Sequence, residues 1–207
     1  MGETTVRIES DILRRVLHAI LPVPEGVYSP SEDSFLMLDA LSTIPVEGNK
    51  IVDVGTGSGI LGLFCALRGA SVIISDIDQS SLLHAQKAAK ILKLDLEATL
   101  SDLYSNINGQ FDLILFNPPY LVSTALEDRA VDGGKKGVEI ATRFLKDLER
   151  HLKPEGTALL LMSSQNNPPS ICDQNPELDL STVARRALFF EELQVLCVRL
   201  NRSVARQ

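Results

Sequence analysis

The segment FDLILFNPPYL, residues 111–121, ends an apolar run with an asparagine, two prolines and a tyrosine. Neither proline has an N–H to give to a sheet ladder, so the run must stop there, and stop rigidly. The residue types suit a reaction at a planar nitrogen that carries two N–H bonds. In an amide or an aromatic amine such a nitrogen is a poor nucleophile, because its lone pair is delocalised. Two acceptors placed at the two N–H bonds hold the nitrogen and turn its lone pair toward an electrophile. The side-chain carbonyl of Asn117 and the backbone carbonyl of Pro118 can supply them, and Tyr120 can stack on the flat group. One such hydrogen bond is worth about 0.5–1.5 kcal/mol net. Orientation can contribute up to roughly 7–11 kcal/mol. Positioning is therefore the larger effect, and the chemistry needs neither a metal nor a covalent intermediate. The plain alternative is a proline turn that ends a strand.

A second constellation lies upstream. In VDVGTGSGILG, residues 52–62, Gly55, Gly57 and Gly59 allow a tight strand-to-helix turn against which a ligand can lie. Gly57, Gly59 and Gly62 also satisfy the dinucleotide fingerprint G-x-G-x-x-G, so the glycines alone do not choose the ligand. The acidic residues narrow it. Asp76 ends the next strand, about 20 residues after the loop, where a carboxylate can accept both hydroxyls of a ribose. Asp102 ends the third strand, where it can accept from an adenine amine. Asp53 precedes Gly55 by two residues, a poor neighbour for a pyrophosphate but a good one for a cationic amino group. Each aspartate alone could be a capping or surface residue. Three at successive strand ends point to an adenosine ligand without phosphates, which S-adenosylmethionine fits. Ser34 shares a helical face with Leu38 and Leu41, so its hydroxyl points inward and needs a partner. A helix cap, a neighbouring carbonyl or the ligand can each provide one.

The elements that position these residues follow from periodicity. Ile8, Ile12, Val16 and Ile20 fall four apart, which predicts a helix over residues 6–21, ended by PVPEG. SPSEDSFLMLDAL predicts a second helix capped by Ser29, with Pro30 at its first position and Glu32 closing a capping box. Strands are predicted at KIVDVG, SVIISD, LEATLSD, FDLILF and TALLLMS, with helices at GILGLFCALRG, 79–92 and 136–152 between them. TVARRALFFEELQVLCVRL reads as two strands joined tightly around Glu191 and Glu192. The expected fold is α/β and Rossmann-like, with a mostly parallel seven-stranded sheet, one antiparallel strand and helices on both faces. Residues 1–26 would form an N-terminal helical extension and 27–207 the main domain. The loop at 121–137 carries Gly133, Gly134 and Gly137 as hinges and would form a substrate-side lid.

Composition bounds the function. The chain has 207 residues, 44% hydrophobic and 23% charged, which suits one soluble domain. No apolar run approaches the roughly 18 residues of a membrane span, and the charged N-terminus does not read as a secretory signal. The cysteines Cys65, Cys172 and Cys197 are few and far apart, which argues for a reducing, cytoplasmic setting. With His18, His84 and His151 they form no metal-ligand spacing. The net charge of −7 argues against a duplex-binding surface and against direct nucleic-acid binding.

VDVGTGSG, SDID, SDL and FNPPY together resemble the class I S-adenosylmethionine-dependent methyltransferases that act on planar nitrogens. VYSPSEDSFLMLDAL and DGGKKGVEIATRFL bring the resemblance down to the HemK family of protein-glutamine methyltransferases, in its short archaeal and eukaryotic branch. It covers roughly residues 27–200. It implies that Ser34, Asp53, Gly55, Asp76, Asp102, Leu103 and Asn117 contact the cofactor, S-adenosylmethionine. It also implies that Asn117, Pro118, Pro119 and Tyr120 hold the accepting nitrogen. The implied substrate is the glutamine of a Gly-Gly-Gln tripeptide in a translation termination factor. The implied partner is a small zinc-binding protein that covers an apolar sheet edge, here the weak strand at 96–101. The larger N-terminal helical domain of bacterial members is replaced by the single helix at 6–21. Methylation of adenine in RNA or DNA is the alternative, since Asn-Pro-Pro-Tyr serves both chemistries. Small-molecule methylation and a non-catalytic binding module are further readings.

Overall fold

The computed structural model describes residues 2–119, 138–166, 171 and 175–201, with side chains described from residue 10. Tyr120, the proposed lid at 121–137 and Cys172 lie outside the described residues.

Alternation of apolar strands and amphipathic helices gives a seven-stranded sheet in the order β3-β2-β1-β4-β5-β7-β6. The strands are β1 (Lys50–Val54), β2 (Ser71–Asp76), β3 (Glu97–Leu100), β4 (Phe111–Phe116), β5 (Leu152–Ser163), β6 (Leu178–Ala187) and β7 (Glu192–Leu200). β1 to β5 run parallel, and β7 runs antiparallel to both β5 and β6. The helices are α1 (Gly2–Ile20), α2 (Glu32–Ser42), α3 (Ile60–Leu67), α4 (Gln79–Leu92) and α5 (Glu139–His151). No helix among the described residues is long and apolar enough to cross a membrane.

Central strands buried on both faces split their side chains by the two-residue period. Ile51, Leu113, Leu115 and Leu159 join one core, shared with Met37, Leu41, Leu63 and Ala85 from α2, α3 and α4. Val52, Ile114, Phe116 and Leu160 join the other, with Phe144, Leu145 and Leu148 of α5. Val16, Ala19 and Ile20 of α1 belong to the first core, so α1 packs as part of the same body.

Several boundaries differ from expectation: α1 begins at Gly2 rather than residue 6, and β6 at Leu178 rather than Thr182. The cap of α2 is Ser31 rather than Ser29, with Ser34 rather than Glu32 closing the box. Both serines meet the capping pattern, and Ser31 wins because it lets Ser34 both cap the helix and face inward. β5 begins at Leu152, five residues before the expected TALLLMS, and absorbs Pro154 and Gly156. The extra length pairs with β4 only through a register shift between Phe111 and Leu113, the kind of irregularity that tolerates proline.

Candidate active site

The strand order reverses between β1 and β4, and ligands of such sheets bind beyond the carboxyl ends of the strands at that reversal. A cavity of about 680 Å³ lies there, within the roughly 300–1,000 Å³ range of small-molecule sites. The loop after β1, the ends of β2 and β4, the segment after β3, and the start of α2 all contribute to its wall.

The glycine loop forms its floor. Gly59 has φ +87°, caps α3, and lies so close to α4 that a Cβ there would sit 2.8 Å from Ala85 Cβ. Only glycine meets both demands. Gly57, with φ +52°, turns its N–H to Asp76 Oδ2 at 2.9 Å, and Asp78 N–H donates to Asp76 Oδ1 at 2.9 Å. Burial pushes the Asp76 carboxyl above its ordinary value, and these N–H groups hold it back. Its oxygens keep lone pairs that face the cavity beside Ile77, which is 71% exposed.

Ser34 is buried on the opposite wall. Its hydroxyl donates to Asp33 Oδ1 at 3.0 Å and accepts from Ser31 N–H at 3.4 Å. It therefore caps the helix and lines the cavity at once. Tyr28 donates its hydroxyl to Asp33 Oδ2, tying the approach to α2 to that helix. Asp102, after β3, receives Arg143 of α5 at 2.8 Å. Leu103 follows with φ +50°.

Of the residues singled out by sequence, Ser34, Gly55, Gly57, Asp76, Asp102, Leu103, Asn117, Pro118 and Pro119 line the one cavity. Gly59 supports it from below. Asp53 is not among the residues that line it. The carboxylate is fully buried beneath the loop, where Oδ2 accepts from Thr56 Oγ1 at 2.6 Å and Gly62 N–H at 3.0 Å. Desolvation pushes its pKa up to about 7. Its work is to tie the loop to α3. Sequence reasoning missed Arg143, Tyr28 and Asp33. Arg143 meets Asp102 across 41 residues, and no local pattern signals such a pairing.

At the end of β4 the Asn117 side-chain oxygen is buried, with no hydrogen-bond partner among the described residues. An unmet buried acceptor costs about 1–3 kcal/mol. It is kept on the rim of a cavity, next to a buried Pro118. Sheet geometry, loop and unmet acceptor together define a methyltransferase.

Comparison with known proteins agrees. The methyltransferase small domain family matches residues 23–185. A chain of Methanocaldococcus jannaschii assigned as a protein N5-glutamine methyltransferase is 35% identical over 198 residues, covering 91% of this chain and 96% of that one. Human methyltransferase HEMK2 is 32% identical over 161 residues, covering 70% and 75%. Among solved structures, Mtq2 of the E. cuniculi Mtq2–Trm112 complex, which methylates the termination factor eRF1, superposes with a TM-score of 0.70 at 23% identity over 85% and 99% of the chains. The chain belongs to the methyltransferase small domain family and, within it, to the HemK-type protein-glutamine methyltransferases.

Proposed function

We propose that this chain methylates the side-chain amide of the glutamine in the Gly-Gly-Gln of a translation termination factor, in the cytoplasm, with S-adenosylmethionine as donor. The single observation that carries the reading is the buried Oδ1 of Asn117, a cavity-lining residue, which has no hydrogen-bond partner among the described residues. The activities of the Methanocaldococcus jannaschii and E. cuniculi relatives support the substrate class.

The cavity fits the cofactor by size and by chemistry. Asp76 offers free lone pairs to ribose hydroxyls, Asp102 and Leu103 border the base, and the Gly55–Gly57 backbone allows close approach. Ser34 offers its hydroxyl at the far wall. Bound there, the cofactor supplies an electrophilic methyl group on a sulfonium. Asn117 Oδ1 and the Pro118 carbonyl accept the two N–H bonds of the substrate amide and aim its lone pair at that methyl. Pro118 and Pro119 fix the two acceptors, and Tyr120 would stack on the amide plane. The nitrogen would gain the methyl as its bond to the sulfonium sulfur breaks, leaving a neutral thioether, and would release one proton to solvent, since an N-alkylated amide cation is a strong acid and needs no dedicated base.

The proposed small zinc-binding partner would cover β3, an outer strand with one edge unpaired among the described residues and with Leu100 48% exposed. The test is transfer of labelled methyl to purified termination factor, with Gln→Ala in its Gly-Gly-Gln as control, with and without that partner. Label that requires the glutamine confirms the reading. Measurable cofactor binding with no label on the factor under either condition refutes it, and label on RNA instead would select adenine chemistry.

A further inference from the structure

The turn between β6 and β7 carries two aromatic side chains in water. Phe189 is 99% exposed and Phe190 91% exposed. Leu188 N–H donates to Glu191 O at 2.8 Å, so the two phenylalanines are the two central residues of a tight hairpin. Neither phenylalanine has a positive φ, so the turn admits most residue types and does not itself call for an aromatic pair. Turn chemistry therefore gives no reason for Phe-Phe, and neither ring adds to the core.

The tip is held firmly. Glu191 accepts from Ser163 Oγ, Glu192 N–H donates to Ser164 Oγ at 3.0 Å, and Gln165 Nε2 donates to Phe190 O at 3.3 Å. All three ties lead to the carboxyl end of β5. Ser163 pairs with Leu193 there, while Phe116, one residue before Asn117, pairs with Leu160. The aromatic tip thus projects from the same end of the sheet as the active site. With strands spaced ~4.8 Å, it stands on the order of 10–15 Å to the side of Asn117. Arg186 of β6 ties the same hairpin to α2, through Glu32 at 2.6 Å and Asp39 at 2.8 Å. α2 is the helix that supplies Ser34 to the cavity wall.

Charge decides what covers the tip. Exposed aromatics can stack on bases or enter an apolar pocket of a protein. The cations nearby, Arg185 and Arg186, are already paired with Glu192, Glu32 and Asp39, and Glu191 adds a further carboxylate. With a net charge of −7, this rim repels a phosphate backbone.

We propose that the Phe189–Phe190 hairpin is a docking element for the protein that carries the methyl-accepting amide. It enters an apolar hollow on that protein, away from the acceptor, and sets its approach to Asn117. The inference rests on the reading of a protein as methyl acceptor. A short peptide that fills the cavity would not reach the tip, whereas a folded protein would.

The test compares wild type with Phe189→Ala/Phe190→Ala on two acceptors, the intact termination factor and a short Gly-Gly-Gln peptide, at saturating cofactor. The expected result is a KM for the factor raised about tenfold or more, with kcat within about twofold. Cofactor Kd and kcat/KM on the peptide stay unchanged, and Phe189→Leu/Phe190→Leu recovers part of the loss. An unchanged KM for the factor overturns the inference and leaves the proposed function standing. Equal losses on peptide and factor also overturn it, since they mark damage to the site. A wild type that transfers nothing to the factor overturns both.

Discussion

Replacing Asn117 by alanine should remove most turnover without weakening the fold. In the structure Asn117 Oδ1 is buried and unpartnered among the described residues, so its deletion forfeits no hydrogen bond there. It relieves a desolvation cost of about 1–3 kcal/mol. The space left by the amide lies at the rim of an open cavity, where water can fill it, so the opposing penalty is small. For a chain of this size 1 kcal/mol moves Tm by roughly 2–4 °C. The expected change is therefore between none and a rise of a few degrees. Turnover should behave differently. In the proposed reading Asn117 is one of two acceptors that orient the nitrogen, and deletion of one pre-aimed polar group in other active sites costs about 10²–10³ in kcat. The lower bound corresponds to about 2.7 kcal/mol of barrier. Single-turnover methyl transfer, differential scanning fluorimetry and cofactor titration, run on one preparation, check the prediction. Turnover within about threefold of wild type would refute the catalytic role. A Tm lowered by several degrees would show instead that Asn117 holds the end of β4 together.

Three further outcomes follow from the same geometry. Asp76→Ala removes the acceptor for two backbone N–H groups and for the ribose, so cofactor Kd should rise on the order of 100-fold, from charge-assisted bonds worth about 1.5–3 kcal/mol each; calorimetric Kd within twofold of wild type would overturn the ribose assignment. Asp53 has its pKa raised to about 7 from 3.8, so the folded state binds the extra proton and this group's contribution to stability, full below about pH 3.8, is lost as pH rises through 7. Asp53→Asn should therefore gain stability over wild type as pH goes from 5 to 7.5, by roughly 2–3 kcal/mol at most, and parallel urea midpoints across that range would contradict it. Gly59→Ala meets both a φ of +87° and Ala85 Cβ at 2.8 Å, so a loss of about 2 kcal/mol or more is expected; Ala85→Gly in the same chain should restore only the part due to the clash, and full restoration in thermal melts would show that backbone strain contributes nothing.

The sheet was legible because its strands are buried on both faces and its helices are amphipathic. Both patterns depend on periodicity alone. α4 has the span its apolar stripe predicts, Gln79–Leu92. The hairpin of β6 and β7 was legible too, although its turn centres on Phe189 and Phe190, just before the expected Glu191-Glu192. Where two local patterns compete, sequence cannot choose. Ser29 and Ser31 both look like caps, and the inward side chain of Ser34 settles the matter in three dimensions. The same limit governs the site. Glycines and strand-end carboxylates mark where a ligand lies. They do not tell a carboxylate on the cavity wall, Asp76, from one beneath the floor, Asp53. Asp53 lies two positions before Gly55, and its carboxylate accepts from Gly62 of α3.

Asp53 and Asn117 show why the least stable groups occur where the scaffold is firmest. Each is a buried polar group in an unfavourable state, one a carboxylate pushed toward neutrality, the other an acceptor without a donor among the described residues. They flank one pair of strands, β1 and β4, whose residues Val54 and Phe116 are register partners at the centre of the sheet. Strands at that position are paired on both sides and covered on both faces. The surrounding structure therefore fixes them even though these two residues do not help it. An edge strand could not do so, because local opening would let water reach the unmet groups and relax the geometry. In the proposed reading, the placement of the acceptor directly after β4 is part of the chemistry. Only a strand that cannot move can hold a carbonyl out of water and still present it to an incoming amide.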